Sequence, residues 1–129
     1  MLTRLHIKNF TIIDSLDIDF SSGFSVITGE TGAGKSIILG AIGLLLGQRA
    51  DSKVIKDGTD RCVIEAHFDL SRYSMKTYFD ENNLDYDDSD CIIRRELSIN
   101  GKSRSFINDT PAPLSVLKSI GEKLIDVHS

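Results

Sequence analysis

The sequence predicts an α/β fold, a mixed sheet with an antiparallel β portion and one helix packed on it. Three observations carry that expectation. Apolar and polar residues alternate in several short runs, a glycine-rich loop sits between a β-run and an apolar helix, and an Asn-Gly pair separates two further runs. A chain of 129 residues fits one small domain, or one lobe, spanning 1–129. At this size roughly two thirds of the unfolded surface can be buried, enough for a genuine core. Hydrophobic residues at 40% and charged residues at 26% exclude a disordered chain. The balance of 15 basic against 19 acidic side chains, −4 overall, excludes a general basic coat for nucleic acid, so any contact with DNA has to be local or made elsewhere.

The elements follow in order. Leu5, Ile7 and Asn9 alternate with His6 and Lys8, and Ile13, Leu16, Ile18 and Phe20 are interleaved with Asp14, Asp17 and Asp19, a two-strand pattern. Ser21-Ser22-Gly23 supplies a turn, and Phe24-Ser25-Val26-Ile27-Thr28 reads as a short buried strand feeding the glycine-rich loop. From Lys35 to Leu46 the apolar residues surround the helix, which predicts a core helix covered on most sides. Gly40 and Gly43 inside it predict close approach to a strand, and Gly47 a left-handed C-terminal cap. Cys62 to Leu70 alternates again, and Ser74 to Asn82 reads as a short helix. Asp90 to Ser98 and Arg104 to Ile107 form a hairpin around Asn100-Gly101, a two-residue turn signal. Thr110-Pro111-Ala112-Pro113 breaks the chain, Leu114 to Ser119 forms a helix, and Leu124-Ile125-Asp126-Val127 reads as a final strand. Ending at Ser129 directly after that apolar run, the chain reads as a piece of a longer protein.

The loop is Gly29-Glu30-Thr31-Gly32-Ala33-Gly34-Lys35-Ser36, the pattern G-x-x-x-x-G-K-[ST]. With ordinary residue usage, chance gives roughly one match in a few hundred chains of this length. Gly32 and Gly34 let the backbone wrap closely round a polyphosphate, and successive amides from Thr31 to Ser36 can point inward at a helix N-terminus. Lys35 is expected to reach the β- and γ-phosphates of ATP, the Ser36 hydroxyl to ligate Mg²⁺, and Ile37 to complete the nucleotide-binding run.

The other features point to blander roles. Cys62 and Cys91 are far apart, without C-x-x-C spacing, which argues against zinc and against a disulfide framework and suits a reducing cytoplasm. His6, His67 and His128 lack a second ligand at metal spacing. Asp80, Glu81, Asp85, Asp87, Asp88 and Asp90 lack the calcium-loop pattern and read as a solvated loop. Arg94, Arg95, Lys102 and Arg104 form a small basic cluster, which a solvated strand face explains better than contact with a phosphate backbone. No run approaches the ~20 apolar residues of a membrane span, and the first residues lack a signal-peptide core.

Leu5-His6-Ile7-Lys8-Asn9-Phe10, Gly23-Phe24-Ser25-Val26-Ile27-Thr28, the loop itself, Leu44-Leu45-Leu46-Gly47-Gln48-Arg49-Ala50-Asp51 and Leu124 to Ser129 together resemble the N-terminus of the RecN family of bacterial DNA-repair proteins. The resemblance spans essentially the whole chain. It implies the N-terminal lobe of an ABC-type P-loop NTPase head of the SMC-like kind, with a coiled coil and a C-terminal lobe outside this stretch. It also implies that two heads sandwich ATP, so that partners are the C-terminal lobe of the same chain, a second head and, through the full-length protein, DNA. The signature motif, the Walker B acid and the catalytic glutamate belong beyond the coiled coil in that family, so no catalytic residue is assigned here. Lys8-Asn9-Phe10 matches the position that approaches nucleotide in related heads and reads equally well as an ordinary strand end. Lys56-Asp57-Gly58 stands where many relatives carry an Arg near the site, and Gly40 replaces a common acidic residue.

Two other function classes compete with an ATP-binding lobe acting in repair of DNA double-strand breaks. A P-loop kinase for small molecules would normally begin with the strand that enters the loop, whereas here a two-strand hairpin precedes it. A non-catalytic SMC-like scaffold would not need the intact Lys35-Ser36 pair.

Overall fold

The computed structural model describes residues 1–20 and 32–126. The expected strand over 24–28 and the residues Gly29, Glu30 and Thr31 lie outside the described residues, as does Val127. Strands β1 (Leu2–Phe10) and β2 (Ile13–Asp19) precede helix α1 (Gly32–Leu45). Strand β3 (Arg61–Phe68), helix α2 (Lys76–Glu81), strands β4 (Cys91–Ser98), β5 (Ser103–Ile107) and β6 (Thr110–Pro111), and helix α3 (Leu114–Asp126) follow. The six strands form one sheet in the order β2-β1-β3-β4-β5-β6, antiparallel at every described pairing.

Strict alternation decides which face is buried. Leu5 and Ile7 of β1, Cys62, Ile64 and Ala66 of β3, and Cys91 and Ile93 of β4 are fully buried on one face. Ala41, Leu44 and Leu45 of α1 and Leu117, Ile120 and Leu124 of α3 are buried with them in the same core. Each such aliphatic side chain contributes about 1.5–3 kcal/mol relative to exposure. The other face carries Arg4, His6, Lys8, Glu65, His67, Arg94 and Glu96, polar and partly solvated.

Four expectations need correction. The last apolar run is helical: α3 continues to Asp126 instead of giving way to a strand. Buried Leu117, Ile120 and Leu124 recur at helical spacing, and a four-residue apolar run read alone cannot reveal that period. The Asn100-Gly101 turn is not of the two-residue kind. The Gly101 amide donates to the Ser98 carbonyl at 3.0 Å and the Ser98 amide to the Lys102 carbonyl at 2.9 Å, with φ +89° at Gly101 alone, a three-residue loop ending in a glycine bulge. The two-residue turn with two left-handed residues is instead Asn108-Asp109, at φ 49° and 65°, which folds β6 back onto β5. Its strand β6 contains Pro111, tolerated because it lies at the sheet edge.

Helix α1 is buried on one side only: Leu39 is 57% exposed, and Lys35, Ser36 and Gly40 are exposed too. Its apolar character all round exceeds what the described residues cover. Gly43 makes room for the Gln48 side chain, whose Oε1 lies 2.5 Å from where a Cβ would stand, instead of for a strand. Gly47 caps the helix as expected, at φ +104°, with its amide bonded to the Leu44 carbonyl at 3.2 Å and the Gln48 amide to the Gly43 carbonyl at 3.1 Å. The second helix is shorter than expected, Lys76–Glu81, within the usual uncertainty of helix ends.

Candidate nucleotide site

Helix α1 begins at Gly32, so the glycine-rich run passes into helix within the motif. The first four amides of a helix have no partner four residues back, and the macrodipole places partial positive charge there. Gly34, Lys35, Ser36 and Ile37 occupy the first turns: Lys35 and Ser36 are exposed, Gly34 and Ile37 half-buried. No acidic side chain stands in the first turn, and Lys35 enters no ion pair with another described residue. Helix-end amide donors, an ammonium without an ion pair among the described residues and an exposed hydroxyl make a set that suits a polyphosphate with a hard cation.

The end of β1 comes up beside this helix. Phe10 is buried, pairs with Ile55, and its ring tip lies 3.9 Å from where a Cβ on Gly40 would stand. Asn9 and Thr11 on either side of it adopt left-handed backbones, φ 57° and 51°. Asn9 is held by its Nδ2 donating to the Arg61 carbonyl at 3.0 Å and by its own carbonyl accepting from the Lys56 amide at 3.0 Å. Left-handed backbone is costly for a β-branched residue, on the order of 1–3 kcal/mol, and such outliers gather at functional sites. The Thr11 amide donates to the Val54 carbonyl at 2.7 Å, while its hydroxyl is buried without a partner among the described residues. Sequence reading singled out Lys8, Asn9 and Phe10 but missed Thr11, and no local signal marks a threonine for positive φ. The structure also divides that trio: Phe10 lies against α1, whereas Lys8 and Asn9 line an open cleft of about 810 Å³ on the opposite side of the sheet with His6, Asp60, Arg61 and Asn100.

The remaining candidates separate. Lys56 forms an ion pair with Asp14 at 3.0 Å, and its carbonyl closes a turn through the Thr59 amide, with Gly58 at φ +84°. The basic cluster is not one surface. Adjacent residues of a strand face opposite ways, so Arg94 is on the polar face and Arg95 in the core. Arg94 meets Glu96 and Asp109 at 3.2 Å and Glu65 at 3.6 Å, and stacks 4.5 Å above the Phe106 ring. Arg104 is 2.7 Å from Glu96. Carboxylates therefore neutralise Arg94 and Arg104, while Lys102 is exposed without an ion pair among the described residues.

His67 Nδ1 is 2.8 Å from Asp90, and among the described residues no group of three or more His, Cys, Asp or Glu side chains is placed to hold a metal ion. Asp87 accepts from Ser89 and Asp90, and the Ser89 hydrogen bonds hold its carboxyl below the usual range. Burial pushes the Cys62 thiol up to about 11 and that of Cys91 to about 12, so neither is a nucleophile at neutral pH. No described helix is long and apolar enough to cross a membrane.

Residues 4–125 match the family described as AAA domain. The DNA repair protein RecN of Vibrio cholerae serotype O1 is 44% identical over 128 residues, covering 99% of this chain and 23% of the relative. RecN of Bacillus subtilis is 40% identical over 129 residues, with 99% and 22% covered. The chain thus spans under a quarter of the length of these relatives. Among solved structures, one described as "Structural biochemistry of ATP-driven dimerization and DNA stimulated activation of SMC ATPases" superposes with TM-score 0.71 at 24% identity, covering 96% of this chain and 79% of that one. The recombination mediator RecF superposes with TM-score 0.64 at 16% identity, covering 91% and 29%. This chain shares its fold with these SMC and RecF structures. With the family model matching residues 4–125, the chain belongs to the AAA-domain family, and over nearly its whole length it is similar to part of RecN proteins.

Proposed function

We propose that this chain is the ATP-binding N-terminal lobe of a RecN-like protein that acts in recombinational repair of DNA double-strand breaks. The observation that carries the reading is the Gly34-Lys35-Ser36 run on the exposed N-terminal turn of α1, with Lys35 unpaired among the described residues. In this reading the backbone amides from Thr31 to Ser36 cradle the phosphates, Lys35 neutralises the β- and γ-phosphates, Ser36 ligates Mg²⁺, and Gly29, Glu30 and Ile37 complete the binding run. The cation would supply charge neutralisation of the phosphate chain. Phe10, buried against α1, is the described residue of β1 that comes nearest the helix carrying this run.

Hydrolysis needs groups that this stretch does not carry, so the lobe acts with the C-terminal lobe of its own chain and with a second head across the ATP. The half-exposed apolar side of α1, with Leu39 at its centre, is consistent with such a covering lobe. The antiparallel β1–β2 hairpin ahead of the loop favours a head over a small-molecule kinase. DNA is engaged through the full-length protein in the cytoplasm, at the nucleoid.

Thermal melting with and without Mg-ATP tests the reading. The wild-type chain is expected to melt higher with Mg-ATP, and Lys35→Ala to lose that increment. An equal increment in both would remove Lys35 from the site.

A further inference from the structure

The core-facing residues of β4 are Cys91, Ile93, Arg95 and Leu97, and the arginine is as buried as its apolar neighbours, 3% exposed. A cation in a core costs several kcal/mol unless it is compensated, and no carboxylate lies within ion-pair distance of Arg95 among the described residues. Its compensation comes from the C-terminal end of α1. Nη1 donates to the Leu44 carbonyl at 2.7 Å and to the Gln48 carbonyl at 2.5 Å, and Nε donates to Ser103 Oγ at 3.3 Å across the hairpin. The Leu44 carbonyl belongs to the last turn of α1, where it also accepts from the Gly47 amide, and the Gln48 carbonyl lies just past the Gly47 cap, so the guanidinium sits at the negative end of the helix dipole.

We infer that Arg95 is a positioning residue for the phosphate site: it fixes where α1 sits along its own axis, and through that helix where Lys35 and Ser36 stand. The inference rests on the phosphate-binding reading of those two residues. A 14-residue helix is about 21 Å long and transmits an axial shift from one end to the other. Lys35 and Ser36 near its other end are exposed, so the anchored end bears on where they stand. Gly47, with Lys118 of α3 stacked closely on it, holds the same end sterically; Arg95 holds it by direction, because three acceptors on two elements constrain one planar fork.

Backbone amide spectra of Arg95→Met and Arg95→Lys without nucleotide, together with Mg-ATP titrations of the same variants, test this. The resonances of residues 34–37 are expected to move in both variants while those of the β1–β2 hairpin stay. Mg-ATP affinity is expected to fall about tenfold in Arg95→Met, equivalent to 1.4 kcal/mol, and less in Arg95→Lys, which keeps a donor cation. A lower melting temperature with residues 34–37 and Mg-ATP affinity unchanged would overturn the proposal and leave Arg95 a packing residue. Should Arg95→Met fail to fold, Arg95→Lys and Ser103→Ala, which removes only the Nε partner, carry the same readout. Lys35→Ala separates the two failures: wild-type Mg-ATP affinity in that variant would sink the phosphate reading, and the amide shifts would still decide the role of Arg95.

Discussion

The two ends of α1 are built on opposite terms. At the N-terminal end, Lys35 and Ser36 are exposed and Lys35 is unpaired among the described residues. At the C-terminal end, Leu44 and Leu45 are buried, Gly47 closes the helix in a left-handed conformation, Arg95 binds the terminal carbonyls, and α3 crosses so closely that a Cβ on Gly47 would lie 2.7 Å from that of Lys118. A helix anchored at one end and open at the other can present fixed donors to a ligand while the energy that orders it is supplied elsewhere. Stability and ligand affinity should accordingly respond to different residues.

Substitution at the anchored end gives the largest stability change. Gly47→Ala introduces both left-handed strain and a clash with the Lys118 backbone, whose Cα would be 2.8 Å away, and should destabilise by about 2–3 kcal/mol in urea titrations. Gly58→Ala separates the two causes, because Gly58 has φ +84° with open space around it. Only the strain remains there, and a loss of about 1 kcal/mol is expected. At the open end, Lys35→Ala should leave the unliganded stability within about 0.5 kcal/mol of wild type. Comparable losses at Gly47 and Lys35 would erase the distinction between the ends.

Sequence patterning carried most of this architecture because alternation and the glycine-rich motif are local. The strands were legible from apolar residues at every second position, and the cap at Gly47 from a glycine just beyond an apolar helix. What escaped depends on tertiary contact. Whether Leu124 belongs to a strand or a helix is decided by its packing with Leu117 and Ile120 in the core. Arg94 and Arg95 look alike in the sequence, and only the register of β4 assigns one to solvent and the other to the end of α1. Thr11 takes a conformation that its type disfavours, held by the Val54 carbonyl from a distant segment. Lys35 and Ser36 stand out in the sequence as candidates because the motif is local, whereas the approach of Phe10 to α1 is visible only in the fold.

The core behind the anchored end gives a smaller, pH-dependent effect. The folded-state values of Cys62 and Cys91, about 11 and about 12, lie above the ordinary 9.0, so the unfolded chain releases these protons first. Their contribution is therefore complete below pH 9 and is lost as pH rises through the folded values. Denaturant midpoints should fall between pH 9 and 11, and Cys62→Ser with Cys91→Ser should flatten that decline. Away from both ends, Lys76→Ala breaks an exposed pair with Asp80 on α2 and should change stability by at most about 0.5 kcal/mol.

Calorimetric titration of ATP, with and without magnesium, into the wild-type chain and Lys35→Ala tests the central claim most directly. Wild-type chain should bind ATP more tightly with magnesium than without it, and Lys35→Ala should bind at least about tenfold more weakly, the loss of one charge-assisted contact. Equal affinity in wild type and Lys35→Ala would contradict the assignment of the exposed end of α1 as the phosphate site.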